Sequence, residues 1–272
     1  YDTKNPASSV RNPLNNTWKN YLTVLSGTAN DPADDTLLLG EEHCRPSGVE
    51  KVEVSVLRHS DNKYWDGSDF ALETTSFNVT SIESSTWTYN FTNSYWTTNT
   101  SYTVVCRTYD RAGNLAWGTT NYFVFDTTAP TGGIAFPATL SEPPDYPVHT
   151  TMPTISGTAS DYGLGQPDKV DIEVLALAEG EDYPTNEYWN GTNWVTYSTW
   201  VPVGVTGAEW AWNTSAVPWG SYRNYELRIR TYDKAGNLSG WTSAKSFRLE
   251  PERAVSVITN VCLLYTSDAA DE

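Results

Sequence analysis

Six aspartates stand at matching places in two stretches of this 272-residue chain. Asp31 follows Ser26-Gly27-Thr28-Ala29-Asn30, and Asp161 follows Ser156-Gly157-Thr158-Ala159-Ser160. Asp110 lies in Thr108-Tyr109-Asp110-Arg111-Ala112-Gly113-Asn114-Leu115, and Asp233 in Thr231-Tyr232-Asp233-Lys234-Ala235-Gly236-Asn237-Leu238. Asp2 follows Tyr1 as Asp126 follows Phe125. Carboxylates are oxygen donors of the kind a calcium ion gathers, about six to eight to a site. They serve equally well as turn caps, accepting hydrogen bonds from amides just ahead in the chain. Tryptophan, present 12 times, is the second chemical resource, because an exposed indole stacks on a sugar face. Catalysis has little to work with. His43, His59 and His149 are isolated, Cys44 beside His43 has no orienting partner, and Glu41-Glu42 and Glu181-Asp182 read as solvated loop charges. Gly-x-Ser-x-Gly, His-Glu-x-x-His and phosphate-cradling glycine loops are missing.

The matching places belong to a duplication. Tyr64-Trp65-Asp66-Gly67 returns as Tyr188-Trp189-Asn190-Gly191, and Lys51-Val52-Glu53-Val54-Ser55-Val56 as Lys169-Val170-Asp171-Ile172-Glu173-Val174. The offset is about 120 residues, far beyond a solenoid repeat of ~20 to 50, so the repeated unit is a domain. The first copy carries an excess of about a dozen residues between Asp31 and Lys51, in an Asp-, Glu- and Pro-rich stretch where loop growth costs little closure entropy. Further out, Phe247 is matched with Phe125.

Thirty-three acidic against 17 basic residues give a net charge of −16. Nucleic acid and anionic lipid need a cationic face, so the charge argues against both as partners. There is no initiator Met and no apolar run that would cross a membrane. Residues 1–2 read as the end of a preceding copy, 3–126 and 127–250 as two full copies and 251–261 as the start of another. Residues 262–272 resemble a translated sequencing adapter and are set aside. Cys262 goes with them, leaving Cys44 and Cys106 open either to a bridge in an oxidising compartment or to a buried free Cys106. The second copy has Ile229 at the place of Cys106, so the fold does not require a disulfide.

The elements that must position these residues are strands. Tyr225, Leu227, Ile229 and Thr231 alternate with Glu226, Arg228, Arg230 and Tyr232, and Val170, Ile172 and Val174 with Asp171 and Glu173. Period two with one apolar face marks half-buried antiparallel strands. Ala112-Gly113-Asn114 and Ala235-Gly236-Asn237 are turns joining the last two strands of each copy, and turn chemistry recurs at the spacing of an all-β sandwich.

The order Ser-Gly-Thr-Ala-x-Asp, a Val-x-Val/Ile-x-Val strand, a Trp-x-Tyr/Trp strand, then Arg-Thr-Tyr-Asp-x-Ala-Gly-Asn resembles bacterial immunoglobulin-like domains, which stand in tandem in surface adhesins and exported proteins. The resemblance implies two immunoglobulin-like antiparallel sandwiches. It also implies that the loops after the second and the penultimate strands share one end with the incoming linker, bringing Asp31 and Asp110 near Asp2, and Asp161 and Asp233 near Asp126. Each trio then either holds Ca2+ or consists of separate turn caps. Most aromatic matches, such as Trp87 with Trp210, Trp96 with Trp219, Phe70 with Trp194 and Phe77 with Trp200, read as packing, since cores tolerate ring swaps of similar volume. Trp65 and Trp189, each followed by an Asp/Asn-Gly pair at a hairpin tip, are the candidate glycan-stacking platforms. The junction Asp126-Thr127-Thr128-Ala129-Pro130-Thr131 has a proline and no glycine and reads as semi-rigid. The expected protein is a non-catalytic stalk, spacer or adhesion module, extracellular or at a bacterial surface, whose partners are neighbouring repeats and a glycan or protein ligand. The alternative is a carbohydrate-binding accessory array on a secreted glycan-active enzyme.

Overall fold

Alternation builds the long strands as the sequence predicts. Thr100–Asp110 buries every second side chain, Tyr102, Val104, Cys106, Thr108 and Asp110 among them, and Arg223–Asp233 repeats the pattern. The computed structural model describes residues 2–32, 46–138 and 147–250. Glu41-Glu42, His43, Cys44 and the stretches assigned to 251–261 and 262–272 lie outside the described residues.

Each copy is a pair of sheets. In the first, Ala7–Asn12, Val24–Asn30, Thr86–Asn90 and Ser81–Glu83 form a four-stranded sheet in that order. It faces a seven-stranded sheet whose order runs Thr17–Lys19, Leu115–Phe125, Thr100–Asp110, Val49–Arg58, Lys63–Trp65 and Phe70–Leu72, with Asn78–Val79 also on Val49–Arg58. In the second copy Thr131–Phe136, Thr154–Ser160 and Glu209–Asn213 face a seven-stranded sheet built around Pro167–Ala176, Arg223–Asp233 and Lys245–Leu249. The pairing is antiparallel except where Thr17–Lys19 and Val148–His149 run parallel to the last strand of their copies. Among the described residues the one helical element is a 3-10 turn, Asn93–Tyr95, and no helix is long and apolar enough to cross a membrane.

Each copy closes over its own core, one centred on Leu25, Val54, Trp87, Tyr102 and Phe123, the other on Ile155, Ile172, Tyr225, Leu227 and Phe247. The Ser-Gly-Thr-Ala motif has its glycine for a steric reason. A Cβ on Gly27 would collide with the Ser9 carbonyl and lie 2.5 Å from the Trp87 indole nitrogen, and Gly157 faces Gly133 and Trp210 in the same way. The indole thus reaches across the sheet and donates to Ser9 O at 3.2 Å.

Two sequence expectations are corrected here. Glu53, Ser55, Asp171 and Glu173 are buried rather than solvated; Arg107, Arg230 and Arg228 pair with Glu53, Asp171 and Glu173 at 2.6, 2.9 and 2.6 Å, and the rings of Phe77 and Trp200 lie on Arg107 and Arg230. Phe247 corresponds to Phe123, not Phe125. Tyr102 is paired with Phe123 and Tyr225 with Phe247, and both ring pairs stack at 5.3 and 5.2 Å. Glu250, whose amide donates to His149 O, then occupies the place of Asp126, whose amide donates to Lys19 O.

Candidate metal centre

Asp233 ends the strand Arg223–Asp233, and the chain must turn at once to enter the last strand. Gly236 supplies the left-handed step, at φ +92°, a conformation open to a residue without Cβ. The Asn237 amide closes the turn on Asp233 Oδ1 at 2.8 Å, while its side-chain nitrogen donates to Asp233 Oδ2 at 2.7 Å and to the main-chain carbonyl of Asp126 at 2.8 Å. One asparagine therefore holds both its own turn and the arriving linker.

The linker brings its own carboxylate. Asp126 is fully buried; its Oδ1 accepts from the Thr128 amide at 2.9 Å and from Thr98 Oγ1 at 3.3 Å. Asp161, just after Thr154–Ser160, takes the Tyr162 amide on Oδ1 at 2.8 Å. Oxygens of Asp126, Asp161 and Asp233 lie within 4.8 Å of one another. Oδ2 of Asp126 and Oδ2 of Asp161 are buried without a hydrogen-bond partner. The backbone at Gly165 passes so close that a Cβ there would lie 2.5 Å from Asp126 Oδ2 and collide with the Asp161 carboxylate. Burial, then the charges of Asp126 and Asp233, push the Asp161 carboxyl up to about 6. Unpaired buried charge is costly, and the usual remedies are a proton, a partner or a metal.

The first copy assembles Asp2, Asp31 and Asp110 in the same way, with a different outcome. Asn114 again holds the turn and the incoming chain, donating to Asp110 Oδ2 at 2.7 Å and to the carbonyls of Asp2 and Lys4, both at 3.2 Å. Asp2 accepts the amides of Lys4 at 3.0 Å and Ser47 at 2.7 Å, and Asp31 Oδ2 accepts the Gly48 amide at 2.7 Å. The Ser47 and Lys4 amides hold the Asp2 carboxyl below the usual carboxylate range. Asp31 Oδ1 alone is left buried without a partner.

All six aspartates named from sequence thus come together as two trios. Turn capping and clustering coexist, since Asp110 and Asp233 do both. The clamping asparagines, Thr98 and Gly165 were missed; Asn114 and Asn237 were visible in the repeated octapeptide.

The platform reading of Trp65 and Trp189 is overturned. They are 3% and 4% exposed, and Trp65 packs on Phe91, Tyr95 and Phe70 at 4.5, 4.7 and 5.2 Å. The following Asp66 and Asn190 make the hairpin tip, accepting amides of Ser68 and Asp69, and of Thr192 and Asn193, while the indole before them turns inward. A ring with no free face cannot stack on a sugar. Cys106 is a buried free thiol, raised by its burial. His59 bonds Thr103 Oγ1 at 2.7 Å at the surface, and His149 packs against Phe136 and Phe247.

Around the joint trio the two copies touch directly. Trp18 Nε1 donates to Leu164 O at 3.0 Å, Asn20 Nδ2 to Asn237 Oδ1 at 3.2 Å and Asn99 Nδ2 to Thr128 Oγ1 at 3.0 Å. The Lys234 ammonium lies 4.8 Å from the Trp18 ring centre.

A family model described as bacterial Ig-like domain matches residues 16–127 and 192–248, one stretch in each sandwich. The chain belongs to the bacterial Ig-like domains. No curated protein matches it. Among solved structures, this Ig-like pair is similar to the fibronectin(III)-like modules of Clostridium thermocellum CbhA, at 14% identity over 93% of this chain and 100% of that one, TM-score 0.42. A structure concerning host cell surface retention of a 1.5-MDa bacterial ice-binding adhesin shares 17% identity over 92% of this chain and 67% of the other, TM-score 0.32. A Ca2+-stabilized adhesin with which an Antarctic bacterium binds ice shares 13% over 92% and 49%, TM-score 0.32.

The donor set of the joint trio fits a hard divalent cation. It offers carboxylate oxygens and no imidazole or thiolate, the choice that suits calcium over zinc or copper. Asp126, Asp161 and Asp233 would hold the ion, and the ion would supply the positive charge that their free oxygens lack.

Proposed function

We propose that this chain is a non-catalytic spacer or adhesion segment of a bacterial surface or secreted protein, whose Ig-like units are locked end to end by calcium at the joint. The observation that carries the reading is the carboxylate of Asp126. It belongs to the connecting segment, is buried, keeps an unpartnered oxygen, and faces two carboxylates of the next unit. An ion bound there ties linker to domain; without it three like charges repel across the joint. Family membership supports an extracellular setting, where modules of this kind work at calcium affinities of about 10⁻⁴ to 10⁻³ M. The duplication supports neighbouring Ig-like units as the principal partners.

The test is calorimetric titration of the chain with calcium, beside Asp161→Asn and Asp126→Asn. The wild type is expected to bind near-millimolar calcium at the joint and each variant to lose that event. An unchanged isotherm in both variants removes the joint site from the account.

A further inference from the structure

With Trp65 and Trp189 buried, the exposed indoles lie elsewhere: Trp117 is 62% and Trp200 43% exposed. Both stand on the outer face of a seven-stranded sheet, in constellations that correspond ring for ring, Phe77 with Trp200 and Trp117 with Trp241. In the first unit Arg107 pairs with buried Glu53 at 2.6 Å and lies 3.7 Å from the Phe77 ring centre, and Phe77 meets Trp117 edge-on at 5.6 Å. In the second, Arg230 pairs with buried Asp171 at 2.9 Å and lies 4.4 Å from Trp200 and 4.8 Å from Trp241. A guanidinium on one face of a ring, anchored by a buried carboxylate, fixes the ring and leaves its opposite face to solvent.

We propose that these two arginine-backed aromatic pairs are glycan platforms, and that together they take an uncharged polysaccharide. Fixed flat rings lose little conformational freedom on stacking against a pyranose, which lowers the cost of binding. The second unit adds a polar recess beside its platform. Arg228, 4.9 Å from Trp241, borders a hollow of about 190 Å³ lined also by Tyr188, Glu226, Glu173 and Ala244. The recess offers donors and acceptors together, as hydroxyl groups require, and is sized for one sugar ring rather than a chain. The first unit has Val105 and Ser55 at the places of Arg228 and Glu173, so its platform is the weaker. Two sites on one chain favour a polymeric ligand through avidity. The net charge of −16 disfavours polyanions. This proposal is independent of the calcium reading, since none of these residues touches the joint.

The test is native electrophoresis of the whole chain through gels containing hydroxyethylcellulose, galactomannan or laminarin, with alginate as the polyanion. Retardation is expected in at least one neutral gel and not in alginate. It should weaken in Trp117→Ala, weaken further in Trp200→Ala, and vanish in the double variant, while each variant still unfolds cooperatively with the wild-type circular-dichroism spectrum. Trp117→Phe and Trp200→Phe guard against a folding defect: the first keeps a ring beside Phe77 and the second a ring over the Arg230 guanidinium, and each should retain part of the retardation. Absence of retardation in all three neutral gels, retardation by alginate alone, or full retardation of the double variant would each overturn the proposal.

Discussion

The trio at the start of the first unit and the trio at the joint grow from one sequence pattern and end in opposite electrostatic states. Around Asp2, Asp31 and Asp110 the amides of Lys4, Ser47 and Gly48 point at the carboxylates and offset their charge. Around Asp126, Asp161 and Asp233 the corresponding loop is shorter, Gly165 closes the space, and two buried oxygens have no donor. Identical residue types thus give a nearly satisfied turn in one place and a demand for a cation in the other. What decides is the donors the neighbouring loop supplies, not the number of carboxylates.

The comparison is broken most sharply by calcium itself. At about 100 times its dissociation constant an ion that binds only the folded form adds about 2.7 kcal/mol. The second unit should gain an increment of that order in urea unfolding and the first distinctly less. Asp161→Asn should abolish the gain while leaving the calcium-free protein no less stable, since it removes a repelling charge. Equal gains in both units would erase the distinction.

The clamping asparagines come next. Asn237→Ala removes bonds to Asp233 and to the Asp126 carbonyl, and a loss of about 1 to 2 kcal/mol is expected, since each hydrogen bond contributes about 1. Asn114→Ala should cost a similar amount in the first unit without altering the angle between units. Chemical denaturation and small-angle scattering together separate the two effects.

Proton linkage gives the two trios opposite signs. In the folded, calcium-free protein Asp161 keeps its proton up to about pH 6, against 3.8 ordinarily. The folded form therefore binds more protons between these values, and stability falls as pH rises through that window. Solvent screening reduces the expected loss to about 1 kcal/mol. Asp2, held low by amides, contributes in the other direction: its stabilisation is present above the ordinary carboxylate range and fades as pH drops below it. Calcium should accordingly raise the melting temperature more at pH 7.5 than at pH 5. A calcium effect independent of pH would contradict the role given to Asp161.

The smallest effect is expected from Trp18→Ala. It removes one hydrogen bond to Leu164 and the stack with Lys234 at the surface of the joint, and surface changes of this kind stay within about 0.5 kcal/mol. Scattering should detect a looser joint in the variant without calcium and a restored one with it.

Much of this was readable in the chain. The long strands announce themselves by alternation, the Asp-x-Ala-Gly-Asn turns follow from the duplication, and the gathering of both trios from the resemblance to bacterial immunoglobulin-like domains. Three features were not, each for a physical reason. Lys63–Trp65 is only three residues long, too short for its parity to show which way Trp65 points, and the turn signal after it is the same whether the indole faces out or in. Glu53 and Asp171 look solvated until Asn78–Val79 and Val201–Gly204 pair beside their strands and Phe77 and Trp200, just ahead of those segments, lie on the arginines that hold the carboxylates. The contrast between the trios rests on amides of Lys4, Ser47 and Gly48, and a backbone amide has no signature in sequence.

The joint is tested most directly by the distance distribution between spin labels placed on an exposed strand of each unit, measured by pulsed electron resonance with and without calcium. The account predicts a broad distribution without the ion, a narrow one with it, and no narrowing in Asp161→Asn. A distribution of the same width in both conditions, or narrowing that survives Asp161→Asn, would contradict it.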